Sequence, residues 1–168
     1  GVLKHISGMT VITNPIVSAY KRLGSGFDGP VYVGWAAVNR APLRRVPNAC
    51  GSGTRVELRS PDPSANPYLG LAGCLAGGLE GSRKGMNPPE RVEKNIYDMT
   101  KEERESKDIK SLPTSLDGAI KAFEEDEYIK EVVGSYIADK YITAKKVEWD
   151  QYCSYVTQWE IDQYLQRI

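Results

Sequence analysis

The chain has 168 residues, 40% of them hydrophobic and 26% charged, enough for one domain with a core of its own. Its formal net charge of zero hides an asymmetry: residues 1–60 hold eight Lys/Arg against two acids, whereas the remainder holds 14 basic and 20 acidic residues. The apolar runs at 31–38 and 69–79 are too short or too Gly-rich to cross a bilayer, and no aromatic-interleaved basic run or helix-turn-helix pattern points to nucleic acid.

Arginine dominates the basic first third, which favours bidentate capture of carboxylate or phosphate over loose attraction to a polyanion. Three separated cysteines (Cys50, Cys74, Cys153) and one isolated histidine (His5) form no metal-binding spacing and no disulfide framework. Each cysteine reads as a small buried hydrophobe, His5 as a structural residue, and the compartment as a reducing cytosol. The start Gly1-Val2-Leu3-Lys4-His5 lacks a charged segment followed by an apolar one, so no leader is expected. It also lacks an initiating Met, and the chain reads as a piece of something longer.

In chain order, Gly1–Ile6 reads as the tail of a helix and Met9–Thr13 as a short strand ending at Asn14-Pro15. Residues 20–29 form a Gly-rich loop or flap carrying Lys21-Arg22 and then Gly24, Gly26, Asp28 and Gly29. Val31–Val38 is a buried strand rich in Val, Tyr and Trp, with Arg40–Pro47 as its pairing partner. Gly51-Ser52-Gly53 turns the chain into a strand over Thr54–Ser60.

That last strand is the most legible stretch of the sequence. A period of two puts Arg55, Glu57 and Arg59 on one face, roughly 6–7 Å apart, and Val56 and Leu58 on the other. Two readings stand side by side. Two guanidinium forks flanking a carboxylate suit a phosphate, a carboxylate substrate and a metal ion held next to one another. A solvated strand face with cross-strand ion pairs looks the same. Pro61 and Pro63 then stop the strand, Asn66 caps a helix and Pro67 takes its first position.

From Asn66 to about Ser82 the spacing of Tyr68, Ala72, Leu75 and Leu79 is helical. The glycines at 70, 73, 77 and 78 weaken that helix but allow close packing against another element. Residues 86–90 are a Pro-containing connection. Thr100…Glu103 and Thr157…Glu160 are capping boxes, and Thr114/Ser115 is a further cap. Helices are expected over Leu116–Glu125 and Gly134–Gln151, and the acidic run Glu124–Glu127 reads as a solvated helix end. A final helix carries Ile161, Tyr164, Leu165 and Ile168 on one stripe, which either closes the chain's own core or docks into a partner subunit.

The blocks Ser18–Leu23, Gly26–Pro30, Asn39–Pro47 and Arg55–Leu69, followed by Asn95-Ile96-Tyr97-Asp98, occur in an order that resembles the C-terminal part of class I glutamine synthetase. The resemblance covers essentially the whole chain. It implies an α+β fold, with antiparallel strands in the first third (10–60) packed by helices (66–168), as the C-terminal portion of a catalytic domain. The N-terminal domain and the first half of the catalytic domain lie outside the chain. It also implies ATP-dependent synthesis of glutamine from glutamate and ammonium through a γ-glutamyl phosphate, with Mg2+ or Mn2+ as cofactor.

Carried over residue by residue, the resemblance puts Arg22 and Arg59 on glutamate's carboxylates and Arg40 on the phosphoryl group in transfer. Arg45 and Arg55, with Arg40, fall on nucleotide-phosphate positions, and Glu57 matches a metal ligand. Asp28 stands where the family has a flap glutamate that helps deprotonate ammonium, one methylene shorter, so its reach falls by about 1.5 Å. Arg44 stands where an apolar residue is usual and reads as a surface change on the strand's far face. Tyr97 falls where one branch carries an adenylylated tyrosine; the competing reading is a partly buried loop tyrosine. The family further implies a cytoplasmic homo-dodecamer of two stacked hexamers, with metal ligands from chain regions not contained here. The isolated chain is therefore expected to be inactive. Two alternatives are a γ-glutamyl-amine ligase of the same superfamily and a non-catalytic assembly or regulatory relative.

Overall fold

The computed structural model describes residues 1–23, 30–37, 42–47, 51–92 and 94–165. Its helices are α1 (Val2–Thr13), α2 (Ala19–Arg22), α3 (Pro67–Arg83), α4 (Lys101–Ser106), α5 (Leu116–Glu125), α6 (Glu127–Val133), α7 (Ser135–Ser154) and α8 (Gln158–Tyr164). Three two-residue strands, β1 (Trp35–Ala36), β2 (Arg44–Arg45) and β3 (Glu57–Leu58), form a sheet in that order. The fold is α+β with helix predominating. No described helix is long and apolar enough to cross a membrane.

Helix α1 corrects the strand expected over Met9–Thr13: those residues continue the helix begun at Val2. Its β-branched content argues for strand only when one face is wet, and here Met9, Val11 and Ile12 are all at most 1% exposed. The Thr10 and Thr13 hydroxyls donate back to the carbonyls of Ile6 (2.8 Å) and Met9 (3.0 Å), so they too fit a buried helix. Asn14, followed by Pro15, ends the helix. Lys21-Arg22, expected in a loop, lie in the one-turn α2.

The core lies between α1, α3, α5, α6 and α7, with Ile6, Met9, Ile12, Leu116, Ile120, Phe123 and Ile129 fully buried. Helix α3 offers α1 its glycines. A Cβ on Gly77 would lie 3.4 Å from Val2 Cα, and one on Gly73 would lie 3.1 Å from Met9 Cε. The apolar residues of α3 do the opposite of what their spacing suggests: Tyr68, Leu75 and Leu79 are exposed, as is Leu71. The small face is the buried one because it lets two backbones approach.

Within the sheet, β2 and β3 are antiparallel, as expected, with Arg45 opposite Glu57. Strands β1 and β2 are parallel, with Trp35 opposite Arg44. Strand direction is set by the connection, and residues 38–41 of that connection lie outside the described residues. The extended segment around β1 also finds a partner that sequence periodicity did not suggest: Leu112 donates to the Val31 carbonyl (2.7 Å) and Val33 to that of Lys110 (2.8 Å). Beside it, Val92, Ile96 and Met99 form a small second cluster.

The helix starts were well marked. Asn66 caps α3, its side chain accepting from the Tyr68 and Leu69 amides, with Pro67 in the first turn. Both capping boxes form, and Ser115 caps α5. The terminal stripe does not close the core: Ile161 and Tyr164 on α8 and Leu165 just after it are exposed, while Ile168 lies outside the described residues.

Candidate active site

Residues flanking β2 and β3 bring most of the expected cationic side chains to one surface. Strand pairing sets Arg45 against Glu57, with Nη1 3.3 Å from Oε2. Arg55 reaches the same carboxylate from two residues upstream, its Nε 2.9 Å from Oε1. Burial pushes the Glu57 carboxyl up, but the Arg55 hydrogen bond and the Arg45 charge outweigh it and hold the group below the ordinary carboxylate range. The cross-strand pair weighed in the sequence is therefore present, and it leaves cationic capacity unused. Arg45 Nε is buried without a hydrogen-bond partner.

Arg59 continues from β3, its amide donating to the Leu43 carbonyl (3.0 Å), and its Nη1 is likewise buried and unpartnered. The next carbonyl along, that of Ser60, accepts from Arg22 Nη2 at 2.6 Å. Arg22 thus joins the strand-borne arginines although 37 residues separate it from Arg59. Its Nε lies 3.5 Å from Asp62 Oδ2, and Nη2 also donates to Asn14 Oδ1 at 3.3 Å. Buried guanidinium N–H groups that lack partners are costly unless an anion completes them. Arg45 and Arg59 each present such an atom, whereas Arg22 Nε already faces Asp62. A surface of this kind binds carboxylates and phosphates.

Glu57 is the carboxylate between Arg45 and Arg55, and among the described residues no group of three or more His, Cys, Asp or Glu is arranged for a metal ion. A Mg2+ or Mn2+ ion takes about six oxygen ligands, so Glu57 serves at most as one member of a set completed elsewhere.

Among the remaining expected positions, Asp28, Arg40 and Cys50 lie outside the described residues. Tyr97 sits in a short 3-10 turn, partly exposed, its ring edge-on to Tyr32 at 5.6 Å; burial pushes its phenol up. Arg44 is half-buried beside Val33, Gly34 and Trp35 in a cavity of about 840 Å³, not a freely exposed surface change, and burial lowers its pKa. Cys74 packs partly buried against the core, whereas Cys153 is exposed, contrary to the expectation for it.

Sequence reading missed the partners of His5. Nε2 meets Glu80 Oε2 and Nδ1 meets Asp126, so the acidic run at 124–127 includes a core-facing residue. No local signal marks Glu80 or Asp126, because they lie 75 and 121 residues from His5.

Residues 1–164 match the family model described as glutamine synthetase, catalytic domain. The chain belongs to that family. It is 47% identical over 167 residues to the glutamine synthetase of Staphylococcus aureus strain MW2, covering 99% of this chain and 37% of that protein. The glutamine synthetase of Staphylococcus epidermidis is 46% identical over the same length. Among solved structures, the fold resembles "Apo GmaS without ligand" with a TM-score of 0.82, 35% identity and coverage of 98% of this chain and 36% of that one. The "GmaS/ADP complex" gives a TM-score of 0.84 at 34% identity. The chain thus spans little more than a third of the length of these relatives.

Proposed function

We propose that this chain forms part of the active site of an ATP-dependent glutamate–ammonia ligase. The observation that carries the reading is the arginine cluster around β2 and β3: Arg45 and Arg59 each hold a buried N–H without a hydrogen-bond partner, and Arg22 joins them through the Ser60 carbonyl. The chain supplies the C-terminal portion of the catalytic domain; the parent is a cytoplasmic homo-dodecamer of two stacked hexamers by family likeness.

In this reading, Arg22 and Arg59 bind glutamate's carboxylates, and Arg45 and Arg55, with Arg40, bind the nucleotide phosphates. An oxygen of the γ-carboxylate attacks the terminal phosphorus of ATP, and the bond to the ADP oxygen breaks. Arg40 stabilises the charge on the phosphoryl group in transfer. Asp28 takes a proton from ammonium, the ammonia so formed attacks the acyl carbon, and the carbon–oxygen bond to phosphate breaks, releasing inorganic phosphate and a proton. A divalent ion, when bound, neutralises phosphate charge; Glu57 is one residue here suited to hold it. Arg45 and Arg55 aim that carboxylate. Tyr97 is a candidate modification site of the same enzyme.

The isolated chain is inactive in this reading, since one carboxylate does not complete a metal site. A γ-glutamyl-amine ligase of the same superfamily is the second reading. The 47% identity to glutamine synthetases weighs towards ammonia. Assaying the full-length protein with ATP, glutamate and either ammonium or a panel of amines separates them. Glutamine formation with ammonium is expected. Clear preference for an amine moves the assignment to the second reading, and no ATP-dependent ligation at all leaves a non-catalytic relative.

A further inference from the structure

Arg22 is the last residue of a one-turn helix, so its own element does little to hold its side chain. Three groups from outside α2 do so instead. Nη2 donates to the Ser60 carbonyl (2.6 Å) and to Asn14 Oδ1 (3.3 Å), and Nε faces Asp62 Oδ2 at 3.5 Å. Two edges of the guanidinium plane are thereby engaged. The Nη1 edge makes no hydrogen bond among the described residues.

The holders are themselves fixed. Asp62 donates its amide to the Thr13 carbonyl (2.8 Å), and its Oδ1 accepts from the Ser64 amide (3.0 Å) and hydroxyl (2.6 Å). Burial pushes the Asp62 carboxyl up, but Ser64 and Arg22 outweigh it and keep it below the ordinary range. Asn14 is fully buried, and its amide nitrogen donates to Thr13 Oγ1 at 3.1 Å, which turns Oδ1 towards Arg22. Both holders therefore hang from the C-terminal end of α1.

We propose that Asp62, assisted by Asn14, is a positioning residue that aims the Nη1 edge of Arg22 at the substrate carboxylate. The proposal rests on the glutamate-binding reading of Arg22. An arginine left to choose among its rotamers binds a carboxylate only after paying their loss, whereas one held by Asp62 and Asn14 has lost them already. The effect falls on glutamate binding and not on the nucleotide, whose assigned contacts among the described residues, Arg45 and Arg55, are not held by Asp62 or Asn14.

The test uses the full-length protein carrying this chain. Asp62→Asn keeps the shape and an acceptor for Ser64 but removes the charge facing Nε. The expected result is a glutamate KM raised about tenfold, with kcat and the ATP KM within about twofold. Asp62→Glu restores part of the loss. Ser64→Ala, which frees Asp62 without touching Arg22, raises the glutamate KM about threefold in the same direction. It decides the matter if Asp62→Asn fails to fold. A merely structural role would move both KM values and the melting temperature together. An unchanged glutamate KM in folded variants of an active enzyme overturns the positioning role alone. A wild type that forms no product from glutamate and ATP overturns the underlying reading.

Discussion

His5 Nε2 lies 2.5 Å from Glu80 Oε2, and each side chain is only about 5% exposed. On its other side the ring meets Asp126, Nδ1 lying 2.8 Å from Oδ2. Carboxylates accept and do not donate, so each ring nitrogen is placed to donate to one of the two acids. Three helices meet there: α1 carries His5, α3 carries Glu80, and Asp126 caps α6 by accepting from the Ile129 amide. The Tyr128 ring packs against the imidazole at 4.8 Å.

Removing one partner of a buried ion network leaves the rest uncompensated. His5→Ala is therefore expected to lower the melting temperature of the chain by roughly 10 °C, far more than loss of an exposed side chain would. Differential scanning calorimetry checks this. A shift under about 2 °C would mean that the two carboxylates find water or lysine in place of the ring.

Glu80 supplies a pH dependence whose sign is fixed. The Lys84 ammonium, the His5 ring and Lys4 together hold its carboxyl down to about 2. Between that value and the unfolded carboxylate range near ~4.3, the unfolded chain binds more protons than the folded one. The stabilisation is thus complete above about pH 4.3 and is lost as pH falls towards about 2. Urea midpoints of wild type and Glu80→Gln, measured from pH 6 to about 2, should converge at the acid end. Curves that stay parallel throughout would contradict the assignment.

Two glycine-to-alanine changes should have opposite signs. Gly70 lies in α3 with nothing within 4 Å of where a Cβ would stand, so Gly70→Ala gains helix propensity, about 1 kcal/mol. Gly8 lies in α1, where a Cβ would fall 2.6 Å from Asp126 Cβ and 2.7 Å from its Oδ2. Gly8→Ala should destabilise despite the same intrinsic gain, because Asp126 must retreat from His5. Chemical denaturation of the two variants gives the comparison.

In the full-length protein, Arg59→Ala should mainly raise the glutamate KM, because that contact is made in ground and transition states alike. Arg40→Ala should mainly lower kcat, because the charge it meets peaks during phosphoryl transfer. Steady-state kinetics with both substrates varied reads the division. Equal effects on both parameters in both variants would refute it.

Local chemistry that a short window contains was readable in advance. Asn66-Pro67 marks the start of α3, Thr100 and Thr157 open their capping boxes, and Leu116–Glu125 is bounded correctly at both ends. The charged row at 55–59 was visible as a pattern, and its association with Arg22 entered only through family likeness. Periodicity failed where burial was complete or reversed. Residues 9–13 of α1 have no wet face to reveal a helix, and α3 buries its glycines while Leu71 and Leu75 face outward. Asn14 stood out only as the end of an element and Asp62 only within a family block; their contacts with Arg22, like that of Glu80 with His5, have no local signal because a lone polar residue carries no address. Glu80 also sits four residues before Lys84, the spacing of an ordinary surface pair.

The glycines that admit α1 to α3 recur at 73, 77 and 81, every fourth residue. Such a groove is nearly self-repeating: sliding α1 along it by about 6 Å would offer the same residue another glycine. Close fit alone therefore leaves the axial alignment of the two helices degenerate. The contact of His5 with Glu80 exists in a single notch, so it works as the tooth of a ratchet, choosing among alignments that packing would treat alike. Thr13 and Asn14 stand at the far end of the same rod, about 13 Å away. The notch chosen at His5 is thereby transmitted to Arg22, and a buried ion pair remote from the arginine row sets where that row receives its first guanidinium.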